Sequence, residues 1–453
     1  MHGELNDLLN DLGDTCSGRV LTPSDAEYAE AVRGHLTSVA RRPSLVLRAA
    51  SAADISAALR CAGTYGATVG VLATGHAARH LPDPDLLVVT SALRGVEIDP
   101  TARVARIEAG ATWGEVLALA EPHGVIPLSG SHASVGAVGY TLGGGLGPLA
   151  RSHGYAADHV RSFEIVTAAG EHRVVDSARD PELFRALCGS GREGLAVVTA
   201  MTVGLVPSAG VFAGNVVFDA VDVPHLFRRY ADWTRGASTA LTSSLSILRI
   251  PGDASDPGDT PGRTLVQLDL CHTGSAAEAE ATCAELSGWG AVIRSDLRSR
   301  PLSELVVDDA PGPGWGGAIG LTELSEPAIT AIVRAVGPSA DVPFVLAQVR
   351  HVGGALRGAD TPVQGMVAGR DPEYLFFLIG EPVPELIDGP IPERADAIFA
   401  SLGEWSVDDV PTNFADHLSR VTREHAMRPE RRDALATLRA AWDPAGMFRY
   451  WAG

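Results

Sequence analysis

Residues 124–158 read GVIPLSGSHASVGAVGYTLGGGLGPLARSHGYAAD, and this stretch decides the fold. Between Gly136 and Gly147 six of twelve positions are glycine. Such a backbone can take positive φ and come close to whatever lies beside it. Its unblocked N–H groups form concavities for anionic oxygens, and a pyrophosphate is the ligand that most often fills them. A flexible linker would be rich in serine and poor in large apolar residues, whereas Val135, Val138, Tyr140, Leu142, Leu146 and Leu149 alternate with the glycines here. The stretch therefore reads as a ligand cradle; the competing reading makes the glycines close-approach sites in a packed region. A dinucleotide Rossmann fingerprint needs G-x-G-x-x-G directly after a first strand, with an acidic residue about twenty positions on. That context is missing.

The motifs resemble those of the vanillyl-alcohol-oxidase and p-cresol-methylhydroxylase superfamily of flavoproteins, in particular the berberine-bridge-enzyme-like oxidases. The matching elements are Val135-Gly136 to Gly139, Leu142-Gly143-Gly144-Gly145, Ala150-Arg151 to Gly154, and Asp158. The resemblance implies an α+β fold: a two-part FAD-binding domain and a substrate domain whose antiparallel sheet covers the flavin. It implies FAD as cofactor, held by Gly130, Ser131, His132, Ser134, Val135, Gly136, Gly139, Tyr140, Gly143, Gly144, Gly145 and Asp158. The loop Ala73-Thr74-Gly75-His76-Ala77 corresponds to the family's Arg-Ser-Gly-Gly-His-Ser, so Thr74, Gly75, His76 and Ala77 join the set. In the family that His bonds the flavin 8α-methyl, and His76 is expected to do so here, with His80 a less well spaced candidate. His132 stands where many members carry a cysteine that makes a second bond, so a single covalent link is expected. Val135 sits where oxidases leave dioxygen access. Gly194 and Val198 lie in the segment that parallels the family's glycine run and Val-Val-Thr, which holds the adenine end. Asn413 matches its Asn-Tyr/Phe segment near the isoalloxazine, and the terminal 442–449 stretch matches its Asp-Pro-x-x-x-Phe-Arg.

The chain of 453 residues is long enough for two to three domains. Its net charge of −19 argues against nucleic-acid or anionic-membrane partners, which require a basic face. The start lacks a basic n-region and an apolar h-region, and no apolar run reaches membrane-spanning length. Five scattered cysteines without a C-x-x-C pair read as buried free thiols of a cytoplasmic protein. No metal site is read, since Cys271-His272 with Cys283 lacks zinc spacing.

The opening alternates helix and strand. A helix start at Thr22-Pro23-Ser24-Asp25 continues from Tyr28 to Leu36, Leu45–Leu47 is a strand, Ser51 caps a helix ended by Gly66, and Thr68–Leu72 is a strand. Strands follow at 86–91, 96–99 and 104–108, then a helix from Thr112 to His123. After the cradle come strands at 162–168 and 172–175 and a helix at 181–187. The expected division is 1–210 FAD-binding, 211–400 substrate domain and 401–453 returning to the first. Within the second part, strands are expected at 215–218, 241–250, 264–271, 344–352, 366–368 and 374–379, with helices at 223–233, 276–286 and 326–336.

The catalytic inventory is sparse. In several relatives the strand before Gly-Gly carries a carboxylate, a natural general base; Gln348 stands in its place, and an amide cannot be that base. Alternation puts Gln348 and Arg350 on one face and Val349 and His351 on the other. His351, Tyr374 and His132 remain as candidates. The function the resemblance implies is an FAD-dependent oxidase of a small organic molecule, with hydride transfer to flavin N5 and reoxidation by dioxygen. The missing carboxylate favours an already acidic substrate, aromatic or polyketide-like, over a plain sugar. An alternative is a redox-silent FAD-containing cyclase of natural-product biosynthesis.

Overall fold

The computed structural model describes residues 2–76, 83–251, 262–358, 365–415, 418 and 426–448. Ala77 and His80 lie outside the described residues. The protein is α+β, and among the described residues it has three sheets of size and one two-stranded ribbon.

The first sheet has four strands in the order Arg19–Leu21, Leu45–Arg48, Leu86–Val89, Val69–Leu72. Its last three strands are parallel. Helix Ala52–Tyr65 supplies the crossover between two of them, as a parallel pair demands. Ser51 caps it by accepting from the Asp54 N–H, and Gly66 ends it at φ +62°. The expected helix from Tyr28 to Leu36 is only one turn, Tyr28–Ala31. The Asp25 carboxylate accepts from the Thr22 N–H at 2.7 Å and from its hydroxyl at 2.8 Å, so the Thr-Pro-Ser-Asp signal closes a side-chain turn rather than opening a helix.

The second sheet is antiparallel: Val96–Asp99, Val104–Glu108, Val197–Gly204, Val160–Val166, His172–Asp176. The cradle packs on it through Ala137, Val138, Leu142, Leu146 and Ala150. Helix Trp113–Ala120 starts at a Thr112/Glu115 capping box and tightens to a 3-10 turn, Glu121–His123.

The third sheet has nine strands, with Val211–Asp219, Thr264–His272, Leu241–Arg249, Phe344–His351, Tyr374–Gly380 and Gly316–Leu321 as consecutive antiparallel neighbours. One face is apolar and carries Leu245, Ile247, Val266, Leu268, Val349 and Phe376. It is covered by helices Val223–Thr234, Glu326–Val336 and Pro390–Ser401. Residues 366–368 form no strand. The Met366 N–H donates to the Arg185 carbonyl and its own carbonyl accepts from the Ser190 hydroxyl, so this segment is tied to the end of helix Pro181–Ser190 instead of a ladder. The final helix, Pro429–Trp442, returns to the second sheet's core through Leu435 and Leu438.

Candidate functional site: a flavin cradle under a polar sheet face

Three loops distant in sequence meet at the cradle. The Gly136 N–H donates to the Thr74 hydroxyl at 3.2 Å, which places the loop of Thr74, Gly75 and His76 against that of Ser134, Val135 and Gly136. The Val135 carbonyl accepts from the Trp113 N–H at 3.0 Å. Val307 then pairs with Ser131 and Ala133, and Gly312 with His35 and Thr37, while the His35 and Leu36 N–H groups donate to the Thr74 and Gly75 carbonyls, so residues 307–312 tie the cradle to the Thr74 loop through the 35–37 segment. Ser131 and His132 are exposed and Gly130 is buried beside the Tyr140 ring.

The glycines do two jobs. Gly144 and Gly145 take φ of +103° and +79°, conformations an L side chain rarely adopts. A Cβ on Gly143 would lie 1.9 Å from Asn413 Oδ1, and one on Gly145 would lie 2.5 Å from the Tyr140 ring. Gly139 has no atom of the described residues within 4 Å of its Cβ position. Part of the run is thus close packing and part is open. Asn413, from the far end of the chain, donates to the Tyr140 carbonyl at 3.1 Å.

Above the cradle lies the other face of the large sheet, and it is polar. Register puts Arg350, Ser244 and Asp269 in one cross-strand row and Gln348, Ser246 and Gln267 in the next. Gln348 Nε2 donates to Ser246 Oγ at 3.0 Å, and Arg350 Nη2 donates to Gln348 Oε1 at 2.9 Å. The Arg350 guanidinium stands 5.5 Å over the Phe414 ring, next to Asn413, which turns this face toward the cradle. Gln267 Nε2 donates to Asp269 Oδ1 at 2.7 Å. Burial between the surrounding strands pushes the Asp269 carboxyl up to about 6, against the pull of Gln267 and Arg350.

Residues 43–176 match a family model described as an FAD binding domain. The chain is 27% identical over 304 residues to (R)-6-hydroxynicotine oxidase of Paenarthrobacter nicotinovorans, covering 65% of this chain and 63% of that relative. It is 28% identical over 237 residues to an uncharacterized FAD-linked oxidoreductase of Bacillus subtilis (strain 168), covering 51% and 52%. The matched stretches thus span about half to two thirds of these curated relatives. The fold is shared with 6-hydroxy-D-nicotine oxidase from Arthrobacter nicotinovorans, at TM-score 0.80 and 21% identity over 96% of this chain and 97% of that one. It is also shared with Physcomitrella patens BBE-like 1, at TM-score 0.82 and 16% identity over 98% of each. Residues 43–176 are thus an FAD binding domain, and the whole chain shares its fold with these two proteins.

An FAD binding domain needs a seat for its cofactor, and the cradle residues fit one. His76 Nε2, Tyr140 Oη and Asn413 Oδ1 are buried without a partner among the described residues. Each would cost about 1–3 kcal/mol if left so, and an extended polar ligand along the cradle relieves that cost. Burial and the neighbouring His35 push the His76 imidazole down to about 4, which leaves it neutral and nucleophilic at working pH. His35 stacks on it with centroids 3.7 Å apart and planes 16° apart, and Asp309 accepts from His35 at 3.1 Å and from Ser134 Oγ at 3.1 Å. Near-parallel imidazoles send their in-plane lone pairs side by side, whereas a metal needs them to converge. This trio is a histidine stack held by a carboxylate.

Other expected site residues lie apart from the opening. Asp158 is fully buried and takes Arg370 at 2.5 Å and the Tyr155 N–H at 3.0 Å, so its charge clamps the cradle to the Arg370 loop. Gly194 takes φ +72° in a turn, and Val198 faces the second core. His351 and Tyr374 are cross-strand partners on the helix-covered face. Tyr374 Oη shares a hydrogen with Thr234 Oγ1 at 2.7 Å, and His351 Nδ1 meets Arg151 Nη1 at 3.1 Å. Burial and Arg151 push His351 down to about 3. Only Gln348 of the three expected catalytic residues looks toward the cradle. Asp269, Arg350, His35 and Asp309 were not singled out from sequence. For the first two a signal existed: polar residues alternate through Thr242, Ser244, Ser246 and Gln267, Asp269 in strands of a large sheet.

Proposed function

We propose that the protein is an FAD-dependent oxidase of a small organic, specialised-metabolite-like substrate, with Asp269 as general base and dioxygen as the reoxidant. Residues 1–210 and 401–453 carry the cofactor in this reading, and residues 211–400 cover it. Bound FAD supplies hydride acceptance at N5. The cradle glycines, Thr74 and Asn413 hold it, and His76 is the side chain for a single covalent link.

The observation that carries the reading is the ionisable group on the polar face. Gln267 holds Asp269 Oδ1, which leaves Oδ2 to take the proton that must leave the substrate as its hydride departs. A carboxyl at about 6 is ionised at neutral pH and still basic enough to accept a proton, the compromise general-base catalysis favours. Gln348 and Ser246 offer an amide and a hydroxyl for orienting substrate oxygens. The redox-silent alternative drew its strength from the lack of a base, and Asp269 removes that motive. The test is anaerobic mixing with a panel of phenols, enols and aromatic alcohols. An oxidase bleaches its flavin and recovers colour on admission of air; conversion of substrate with the flavin oxidised throughout refutes the proposal.

A further inference from the structure

Among the described residues Arg350 has no anion in direct contact; Asp269 acts on it only across an intervening strand. Its Nε and Nη2 share one neutral acceptor, Gln348 Oε1, at 3.3 and 2.9 Å. Among the described residues its Nη1 has no partner, and no carboxylate forms an ion pair with it. The nearest negative group on the sheet, Asp269, lies two strands away in the same row and is engaged by Gln267. A guanidinium held in protein surroundings without a directly paired anion is costly, and its planar fork matches an anionic oxygen pair better than any other group. Gln348 and the Phe414 ring beneath fix the fork's plane. Phe377 meets Phe414 edge to face at 5.3 Å and stands opposite Gln348. The cation therefore borders an aromatic wall.

From this geometry we infer that the substrate is a planar organic anion whose carboxylate or ionised hydroxyl is seated by Arg350, with its ring against Phe414. This rests on the oxidase reading and narrows its substrate class. Neutral sugars lack both features. Asp269 sits where it would oppose a second negative charge, which limits the substrate to one anionic group at this end of the face.

Isothermal titration calorimetry on the FAD-loaded full chain tests it, with the visible spectrum of the same sample recorded. Benzoate should bind at least about tenfold more tightly than benzamide, the margin of one charge-assisted contact. Arg350→Met should erase that preference and Arg350→Lys should retain part of it. Asp269→Asn, which removes the opposing carboxylate, should tighten benzoate binding, so the idea stands or falls even if the Met variant does not fold. 4-Nitrophenolate against nitrobenzene asks the same of an ionised hydroxyl, and the anion with the larger Arg350-dependent preference identifies the source. Equal binding of both anions and their neutral analogues, or preference unchanged in Arg350→Met, overturns the inference. Arg350-dependent benzoate binding by a chain that takes up no flavin supports the anion seat and refutes the oxidase reading; a yellow protein without anion preference does the reverse.

Discussion

Replacing Asp269 by Asn should make the protein more stable and much slower at once. The carboxyl stands at about 6 in the folded chain against an ordinary 3.8, a displacement that costs the folded, ionised state about 3 kcal/mol. Between those two pH values the folded chain binds more protons than the unfolded one. Stability therefore falls as pH rises through this window, and the penalty is complete above it. Asn carries no such charge, so the variant should gain up to about 3 kcal/mol at neutral pH and nothing below the lower value. Loss of a positioned base should lower the rate of anaerobic flavin reduction by about 10²–10⁴-fold and remove the rise in rate through pH 6. The assays are stopped-flow reduction across pH and thermal unfolding followed by flavin fluorescence. His351→Gln is the control: it lies on the helix-covered face, so it should lower stability while the pH profile of reduction keeps its shape. A variant Asp269→Asn that keeps the wild-type rate and profile, or that is less stable at neutral pH, refutes the reasoning.

Gly139→Leu should leave the flavin-free fold intact, because no atom of the described residues lies within 4 Å of its Cβ position, yet lower flavin content measured by absorbance after denaturation; unchanged content would move the seat elsewhere. His76→Ala should release all flavin on acid precipitation where wild type retains it, while His132→Ala retains it, and the reverse pattern would transfer the link to His132. Arg370→Ala leaves the Asp158 charge buried and unpaired and should cost about 3–5 kcal/mol in urea unfolding; a cost under about 1 kcal/mol would mean that the clamp is redundant.

The parts of the fold legible in sequence are those governed by local chemistry. Ser51 and Gly66 mark both ends of helix Ala52–Tyr65, and helix Glu326–Val336 follows its apolar period. The cradle is legible because its glycines answer a backbone requirement. Strand Gly316–Leu321 was invisible for the opposite reason: its sequence, GGAIGL, has no β pattern, and Gly320 is there because Pro372 and Val407 crowd the space a side chain would take, at 2.6 and 3.0 Å. The site divides the same way. His76 and Asn413 enter the proposed site by motif, whereas His35 and Asp309 come from irregular loops joined by tertiary hydrogen bonds such as Gly312 N–H to the His35 carbonyl. Alternation through Gln267 and Asp269 reads as a solvated strand face until the sheet is known to lie over the cradle. The Thr22–Asp25 signal failed because Asp25 satisfies Thr22 locally before any helix can.

The central claim, that FAD lies along the cradle formed by residues 130–145 with Thr74, His76 and Asn413, is tested most directly by the visible spectrum of the purified full-length chain. The protein should be yellow, with flavin bands at one FAD per chain, either as isolated or after FAD is supplied. A chain that stays colourless after incubation with FAD contradicts it.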